Sequence, residues 1–219
     1  MNCIVTAGPT FEPLDDVRRL TNFSTGRLGT ELAGFLTARG HAVTLLIGEG
    51  AAWPGERRAR TVQTFSTTAD LQAKLKALSA LKNRRKTDAL FHAAAVSDFA
   101  FGQIFTETKP GEFRTLRSCK KIPTRQGSLL AELMPAPKII AALRGWFPSA
   151  CLVGWKFEAE GRRADVWRAA QKQITDCATD FCVANGPAYG PGFGLLAADG
   201  RTRHLATRAR LFAALEKIL

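Results

Sequence analysis

Apolar residues fall into two kinds of run along the chain, short continuous ones and longer ones with helical spacing, and the two kinds alternate. Cys3-Ile4-Val5-Thr6 is a continuous run of strand length, closed by Ala7-Gly8-Pro9-Thr10. A loop then reaches Thr25. From Arg27 to Arg39 the spacing brings Leu28, Leu32, Phe35 and Leu36 onto one helical face, with Gly40 as a C-terminal stop. His41 to Ile47 is the next continuous run. A strand, a helix and a strand in this order predict two parallel strands joined by a right-handed crossover.

The alternation persists. Thr61 to Phe65 reads as a strand, Ala69 to Leu81 as an amphipathic helix, and Asp88 to Ala94 as a strand that turns away at Ala95-Val96-Ser97-Asp98. A loop-rich stretch from about residue 100 to 125 is expected as a flexible flap. Pro137 to Trp146 reads as a helix with Pro137 in its first turn. Cys151 to Lys156 is a strand, Ala164 to Ala178 a helix, and Phe181 to Asn185 a strand. Gly186 to Gly192 has the composition of a mobile connection. A hairpin around Asp199-Gly200 and a helix from Thr207 complete the pattern.

This order predicts a single α/β domain over residues 1–219, a Rossmann-like, doubly wound and mostly parallel sheet with a small C-terminal hairpin. In such sheets the ligand lies beyond the carboxyl ends of the strands. That places Gly8-Pro9-Thr10, Ala95 to Asp98, Trp155-Lys156 and Asn185 in one neighbourhood.

Composition changes the picture little. No apolar run approaches the roughly 20 residues of a membrane span, and the N-terminus has no basic leader, so a cytoplasmic protein without a membrane partner is expected. Five cysteines without a Cys-x-x-Cys pair suit buried thiols better than a disulfide framework or zinc site. The net charge of +12 favours anionic ligands. Its two dense runs, Glu56 to Arg60 and Lys82 to Lys86, carry no ladder of aromatic residues, so a solvated surface is the better reading than a nucleic-acid site.

The chemistry-bearing segment is Ser24-Thr25-Gly26-Arg27-Leu28-Gly29, just ahead of the first helix. Helix N-terminal amides, the helix dipole and Arg27 together suit a phosphate; a Ser/Thr cap with a permissive glycine fits the same residues equally well. Neither Gly-x-x-x-x-Gly-Lys-Ser/Thr nor Gly-x-Gly-x-x-Gly follows the first strand. Tyr189 has no lysine four residues on, which argues against the hydride chemistry of a short-chain dehydrogenase. His92 reads as a core histidine, and the three histidines have no metal-ligand spacing. Glu12 and Asp15 read as capping or loop-bracing groups rather than paired catalytic carboxylates.

Taken in order, the motifs resemble those of phosphopantothenoylcysteine synthetases. They are Thr6-Ala7-Gly8-Pro9-Thr10 with Glu12 to Arg18, Thr21-Asn22-Phe23-Ser24-Thr25-Gly26-Arg27-Leu28-Gly29, Ala93 to Phe99, Lys121-Ile122, Leu152 to Glu158, and Val183-Ala184-Asn185. The resemblance covers nearly the whole chain and is closer to the free-standing eukaryotic form than to the synthetase half of the fused bacterial enzyme. It implies a ligase that activates the carboxylate of 4'-phosphopantothenate on a nucleoside triphosphate with Mg²⁺, after which the amine of L-cysteine displaces the nucleoside monophosphate. It further implies a homodimer, and ATP is favoured over CTP on the segment Trp155-Lys156-Phe157-Glu158.

The resemblance assigns Asn22 to the carboxylate and acyl group and Lys121 to a mobile cation near the triphosphate. It implies nucleotide-binding roles for Gly8, Ser24, Gly26, Arg27, Ala94, Asp98, Pro137, Lys138, Ile139, Ile140, Trp155, Lys156 and Asn185, with no protein metal-ligand set. In this reading Trp155 stacks on the base, with a buried core tryptophan as the alternative, and Pro137 to Ile140 begin the base-recognition helix. Gly8-Pro9-Thr10 departs from the family's Gly-Gly-Thr, removing one amide N–H, and Lys121-Ile122-Pro123-Thr124 replaces the lysine-rich run of the bacterial form, of which the eukaryotic form also keeps only the first lysine. Two rival readings are an NAD(P)-dependent reductase and a nucleotide- or nucleic-acid-binding protein on an inactive synthetase scaffold.

Overall fold

A computed structural model describes residues 1–80, 86–116, 121–123 and 127–219. Leu81, Lys82 to Arg85 of the second basic run, Cys119 and Thr124 lie outside the described residues. The continuous apolar runs form β1 (Asn2–Ala7), β4 (Ala42–Gly48), β5 (Thr61–Phe65), β6 (Ala89–His92), β10 (Cys151–Phe157) and β11 (Phe181–Asn185). The amphipathic runs form α1 (Arg27–Ala38), α2 (Thr68–Ser79), α3 (Ile139–Trp146), α4 (Arg163–Cys177) and α5 (Arg208–Glu216). The hairpin β12 (Phe193–Ala197) and β13 (Thr202–Leu205) turns at Asp199-Gly200 and adds two antiparallel strands.

The sheet order is β13-β12-β11-β10-β6-β1-β4-β5, and the six strands from β11 to β5 are parallel. Numbered in sequence, those six read 3-2-1-4-5-6 from the β5 edge, the doubly wound order, with its switch point between β1 and β6. Strand alternation sorts the core onto two faces. Cys3, Val5, Val153 and Val183 pack with Leu32 and Leu36 of α1 and Leu211 and Leu215 of α5. Ile4, Leu90 and Leu152 pack with Leu71 and Leu75 of α2 and Ile139 and Leu143 of α3. On that second side α4 covers Cys182, Ala184 and Leu196. Leu90 and Leu152 are wholly buried, and each such side chain contributes about 1.5–3 kcal/mol through removal from water.

Three local expectations change. The connection up to Thr25 contains the hairpin β2 (Phe11–Pro13) and β3 (Arg19–Thr21). The stretch read as a loop-rich flap contains β7 (Phe99–Lys109) and β8 (Glu112–Thr115), which form a separate three-stranded antiparallel ribbon with β9 (Leu129–Pro135). Its strands escape the hydrophobic pattern because β8 is exposed throughout and β9 nearly so, leaving no contrast between an inner and an outer face. Pro137 stands ahead of the third helix rather than in its first turn, because Lys138 keeps the extended backbone of an N-cap.

The glycine-rich connection after β11 is tied down by Tyr189. Its ring is buried, stacks on His204 at 5.9 Å, meets Trp167 edge-on at 5.5 Å, and lies under the Arg163 guanidinium at 4.5 Å.

Candidate functional site

The carboxyl ends of β1 and β6 are sewn together at the switch point. The amide of Ala95 donates to the Gly8 carbonyl at 2.9 Å, and that of Thr10 donates to the Ala95 carbonyl at 3.1 Å. Pro9 faces Ala95 in this parallel bridge. Both hydrogen bonds come from its neighbours, so the missing N–H of Pro9 costs the bridge nothing. Thr10 Oγ1 accepts from the Ser97 amide at 2.8 Å and pairs with Thr68 Oγ1 at 3.2 Å. The threonines thus fix the loop that leads to Asp98.

Helix α1 begins directly against this bridge. A Cβ on Gly29 would lie 2.6 Å from the Ala7 Cβ and 3.0 Å from the Thr6 carbonyl oxygen, so only glycine lets the first turn settle on the end of β1. Gly26, the N-cap, has φ of 76° and supplies no side-chain cap. The first turn therefore presents main-chain donors and the positive end of the helix dipole beside Gly8. Arg27 guards the outer side, donating to Glu31 Oε1 at 2.7 Å and lying 4.1 Å from the centre of the Trp53 ring. Trp53 escaped the sequence reading, having no periodic neighbours; its amide donates to the Thr25 carbonyl at 3.0 Å.

Asn22 and Ser24 follow β3 into the same corner. Asn22 Nδ2 donates to the carbonyls of Ala95 at 3.3 Å and Val96 at 3.1 Å. An amide suits that position, whereas a carboxylate would set acceptor against acceptor. Ala94 is also here, but its amide donates to Thr6 Oγ1 at 3.1 Å. The same hydroxyl lies 3.0 Å from His92 Nδ1. Burial lowers the His92 pKa from 6.5 to about 4, so the ring is a neutral core group, as expected of it. Gly8, Asn22, Ser24, Gly26, Arg27 and Ala94 thus meet around one switch point.

The remaining candidates lie farther along the same carboxyl edge. Asp98 is exposed just before β7, its carbonyl holding the Ala136 amide at 2.8 Å. Pro137 and Lys138 are exposed ahead of α3, whereas Ile139 belongs to the core and Ile140 packs towards β10. Any ligand contact from Ile139 is therefore through its main chain, whereas Ile140 is half-buried. Lys156 Nζ is 3.1 Å from Glu158 Oε1, and the Asn185 carbonyl accepts from the Glu158 amide at 3.0 Å. Trp155 packs with the cluster on the α1 and α5 face, opposite to Ile139, and its buried Nε1 has no partner. The stacking tryptophan and the base-recognition helix of the sequence reading are thus not brought together on one face.

Lys121 is exposed, and its neighbour Ile122 is buried. Glu12 and Asp15 brace loops: Glu12 Oε1 accepts from the Thr68 amide at 3.0 Å at the start of α2, and Asp15 holds a network described below. Burial pushes the thiols of Cys3 and Cys151 up to about 11 and that of Cys182 to about 12, which removes them as nucleophiles. Among the described residues no group of three or more His, Cys, Asp or Glu side chains is placed to hold a metal ion, and no helix is long and apolar enough to cross a membrane.

The sequence matches the DNA/pantothenate metabolism flavoprotein C-terminal domain over residues 1–207. The chain belongs to this family. A coenzyme A biosynthesis bifunctional protein CoaBC from Thermococcus kodakarensis is 31% identical over 183 residues, covering 83% of this chain and 40% of that protein. The CoaBC of Escherichia coli is 29% identical over 208 residues, covering 94% and 45%. The chain therefore spans about half the length of the curated relatives it matches. Among solved structures, the DNA/pantothenate metabolism flavoprotein from Streptococcus pneumoniae superimposes with a TM-score of 0.83 at 24% identity, over 100% of this chain and 98% of that one. A Cab2 mutant in complex with phosphopantothenate-cysteine gives 0.71 at 17% identity, over 99% and 88%. At these identities the structures speak for the family fold.

Proposed function

We propose that this chain is a phosphopantothenate–cysteine ligase: a nucleoside triphosphate activates the carboxylate of 4'-phosphopantothenate, and the amine of L-cysteine closes the amide. The observation that carries the reading is convergence. Motifs scattered from Gly8 to Asn185 lie along one carboxyl edge of a doubly wound sheet, where α1 starts from a glycine N-cap beside Gly8 and Asn22 is tied to the Ala95-Val96 turn. Family membership and the ligand of the Cab2 complex support the same chemistry.

In this reading the carboxylate oxygen attacks the α-phosphorus, pyrophosphate departs, and the amine then attacks the acyl carbon as the nucleoside monophosphate leaves. The α1 amides and Arg27 receive phosphate oxygens, Asn22 orients the acyl group, and Lys121 offsets charge developing on the triphosphate. Base recognition falls to the main chain ahead of α3; ATP is the preferred nucleotide. Mg²⁺ fits this edge as an ion carried by the nucleotide, with Asp98 the exposed carboxylate available to it through water. When bound it supplies charge neutralisation at the phosphates. The enzyme is cytoplasmic in this reading and works as a homodimer. Phe99, Leu130, Leu133 and Met134 stand 46–50% exposed on the ribbon, and Leu130 and Met134 share the strand face that a second copy would cover.

Pyrophosphate release tests the assignment. Release with ATP should require 4'-phosphopantothenate and become sustained on adding cysteine, with slower turnover on CTP. Folded protein that releases none with either nucleotide would overturn it. Sedimentation tests the dimer, which a monomer at micromolar concentration would exclude.

A further inference from the structure

The turn between β2 and β3 grips a segment more than a hundred residues away. Asp15 Oδ1 accepts from the amides of Val17 at 2.9 Å and Arg18 at 2.7 Å, closing its own turn. Its Oδ2 accepts from Arg18 Nε at 3.1 Å, from the other arm of the same guanidinium, and from the Ile122 amide at 3.1 Å. Arg18 also donates to the Ile122 carbonyl at 2.8 Å. Ile122 is thus held by both of its main-chain groups, and its side chain is only 2% exposed. Pro123 follows and fixes φ on the far side. Lys121, directly before this anchored residue, keeps an exposed side chain.

We propose that Asp15 is a positioning residue for Lys121, acting through the main chain of Ile122. The proposal rests on the role given to Lys121 above. The two oxygens of Asp15 divide the work. Oδ1 alone closes the turn, which is further secured by the Leu14 amide on the Arg18 carbonyl at 2.8 Å. Oδ2 contributes nothing to the N–H bonds of that turn; it reaches across to Ile122. Both oxygens must be acceptors. The Arg18 pairing and the Ile122 amide keep the carboxyl ionised, well below the usual carboxylate range. The gain is geometric: a long lysine on an untethered loop samples many positions, whereas one rooted beside a residue fixed at three points returns to the same place.

Asp15→Asn keeps the size but turns one acceptor into a donor, so one of the two N–H sets loses its partner. The test measures pyrophosphate release by the full chain for wild type, D15N, K121A and the double variant, with amide hydrogen exchange at Ile122. D15N should lower kcat about 10- to 100-fold, the scale of a misplaced reacting group, with little change in the KM for 4'-phosphopantothenate. On the K121A background it should add almost nothing, since the two residues act as a unit. Exchange at Ile122 should accelerate more than about tenfold.

An equal kcat loss from D15N with and without Lys121 would overturn the proposal, as would unchanged exchange at Ile122. A K121A enzyme at wild-type rate would remove the lysine's role and the positioning claim together, and ligation that persists there would leave the proposed function standing. Should D15N not fold, Arg18→Lys carries the same cycle, because it removes the guanidinium fork from the Ile122 carbonyl and leaves the carboxylate in place.

Discussion

Strand β6 of the central sheet and strand β9 of the ribbon are both rich in apolar residues, yet their fates differ. All four residues of β6 are buried, and Leu90 has no exposed surface. Six of the seven residues of β9 are exposed, with Leu130, Leu133 and Met134 at 48–50%. The sheet closes its apolar surface with helices on both faces of the same chain. Among the described residues no helix is seen to close the ribbon in this way, and several of its apolar side chains stay half exposed. An apolar residue records a need for burial; it does not record whose surface meets that need.

The sharpest way to break this comparison is one truncation in each region. Leu90→Ala should cost about 2–5 kcal/mol of unfolding free energy, the range for a leucine cavity in a well-packed core. Leu133→Ala should stay within about 0.5 kcal/mol for the isolated chain, as surface changes do. Urea titrations at low protein concentration measure both. Similar losses at the two sites would show that the ribbon carries core packing after all.

A second substitution probes the join between β3 and the end of β6. Asn22→Asp sets a carboxylate against the carbonyls of Ala95 and Val96 and unseats the side chain proposed to orient the acyl group. Ligation should fall about 100-fold or more, the scale of losing one oriented donor. Nucleotide binding, measured by titration calorimetry, should change little. Equal loss of both would sink the assigned role.

The smallest effect belongs to the buried histidine inside the sheet. Its pKa is lowered from 6.5 to about 4, so between those values the unfolded chain binds a proton that the folded chain does not. His92 therefore contributes its full stability above pH 6.5, loses it as the pH falls towards 4, and the loss levels off below. The slope in that window is at most about 1.4 kcal/mol per pH unit. In His92→Gln this component should vanish, and unfolding curves at several pH values will show whether the wild-type slope exceeds that of the variant. Identical slopes would mean the ring titrates normally.

The fold was largely legible because its determinants are local. Continuous apolar runs and helical spacing located the six parallel strands and five helices of the described residues, with boundaries within a few residues. The hairpin β2–β3 and the ribbon were not legible, since their half-exposed strands carry no burial contrast. At the site, Gly26 and Gly29 stood out in sequence because close approach and turn geometry restrict residue type, whereas Asn22 was marked only by the family resemblance. Trp53 could not, because a lone tryptophan in a loop has no pattern. The opposite facing of Trp155 and Ile139 follows from strand parity and helix placement, which no motif encodes. The hold of Asp15 on Ile122 joins residues 107 apart and leaves no periodic trace.

Activation of the carboxylate at phosphorus can be followed through an oxygen atom. With 4'-phosphopantothenate carrying oxygen-18 in its carboxylate, ATP and cysteine, activation at the α-phosphorus places one labelled oxygen in each AMP released. That label is expected in AMP, in step with amide formation. Label in orthophosphate, or amide formed while AMP stays unlabelled, would contradict activation at the α-phosphorus.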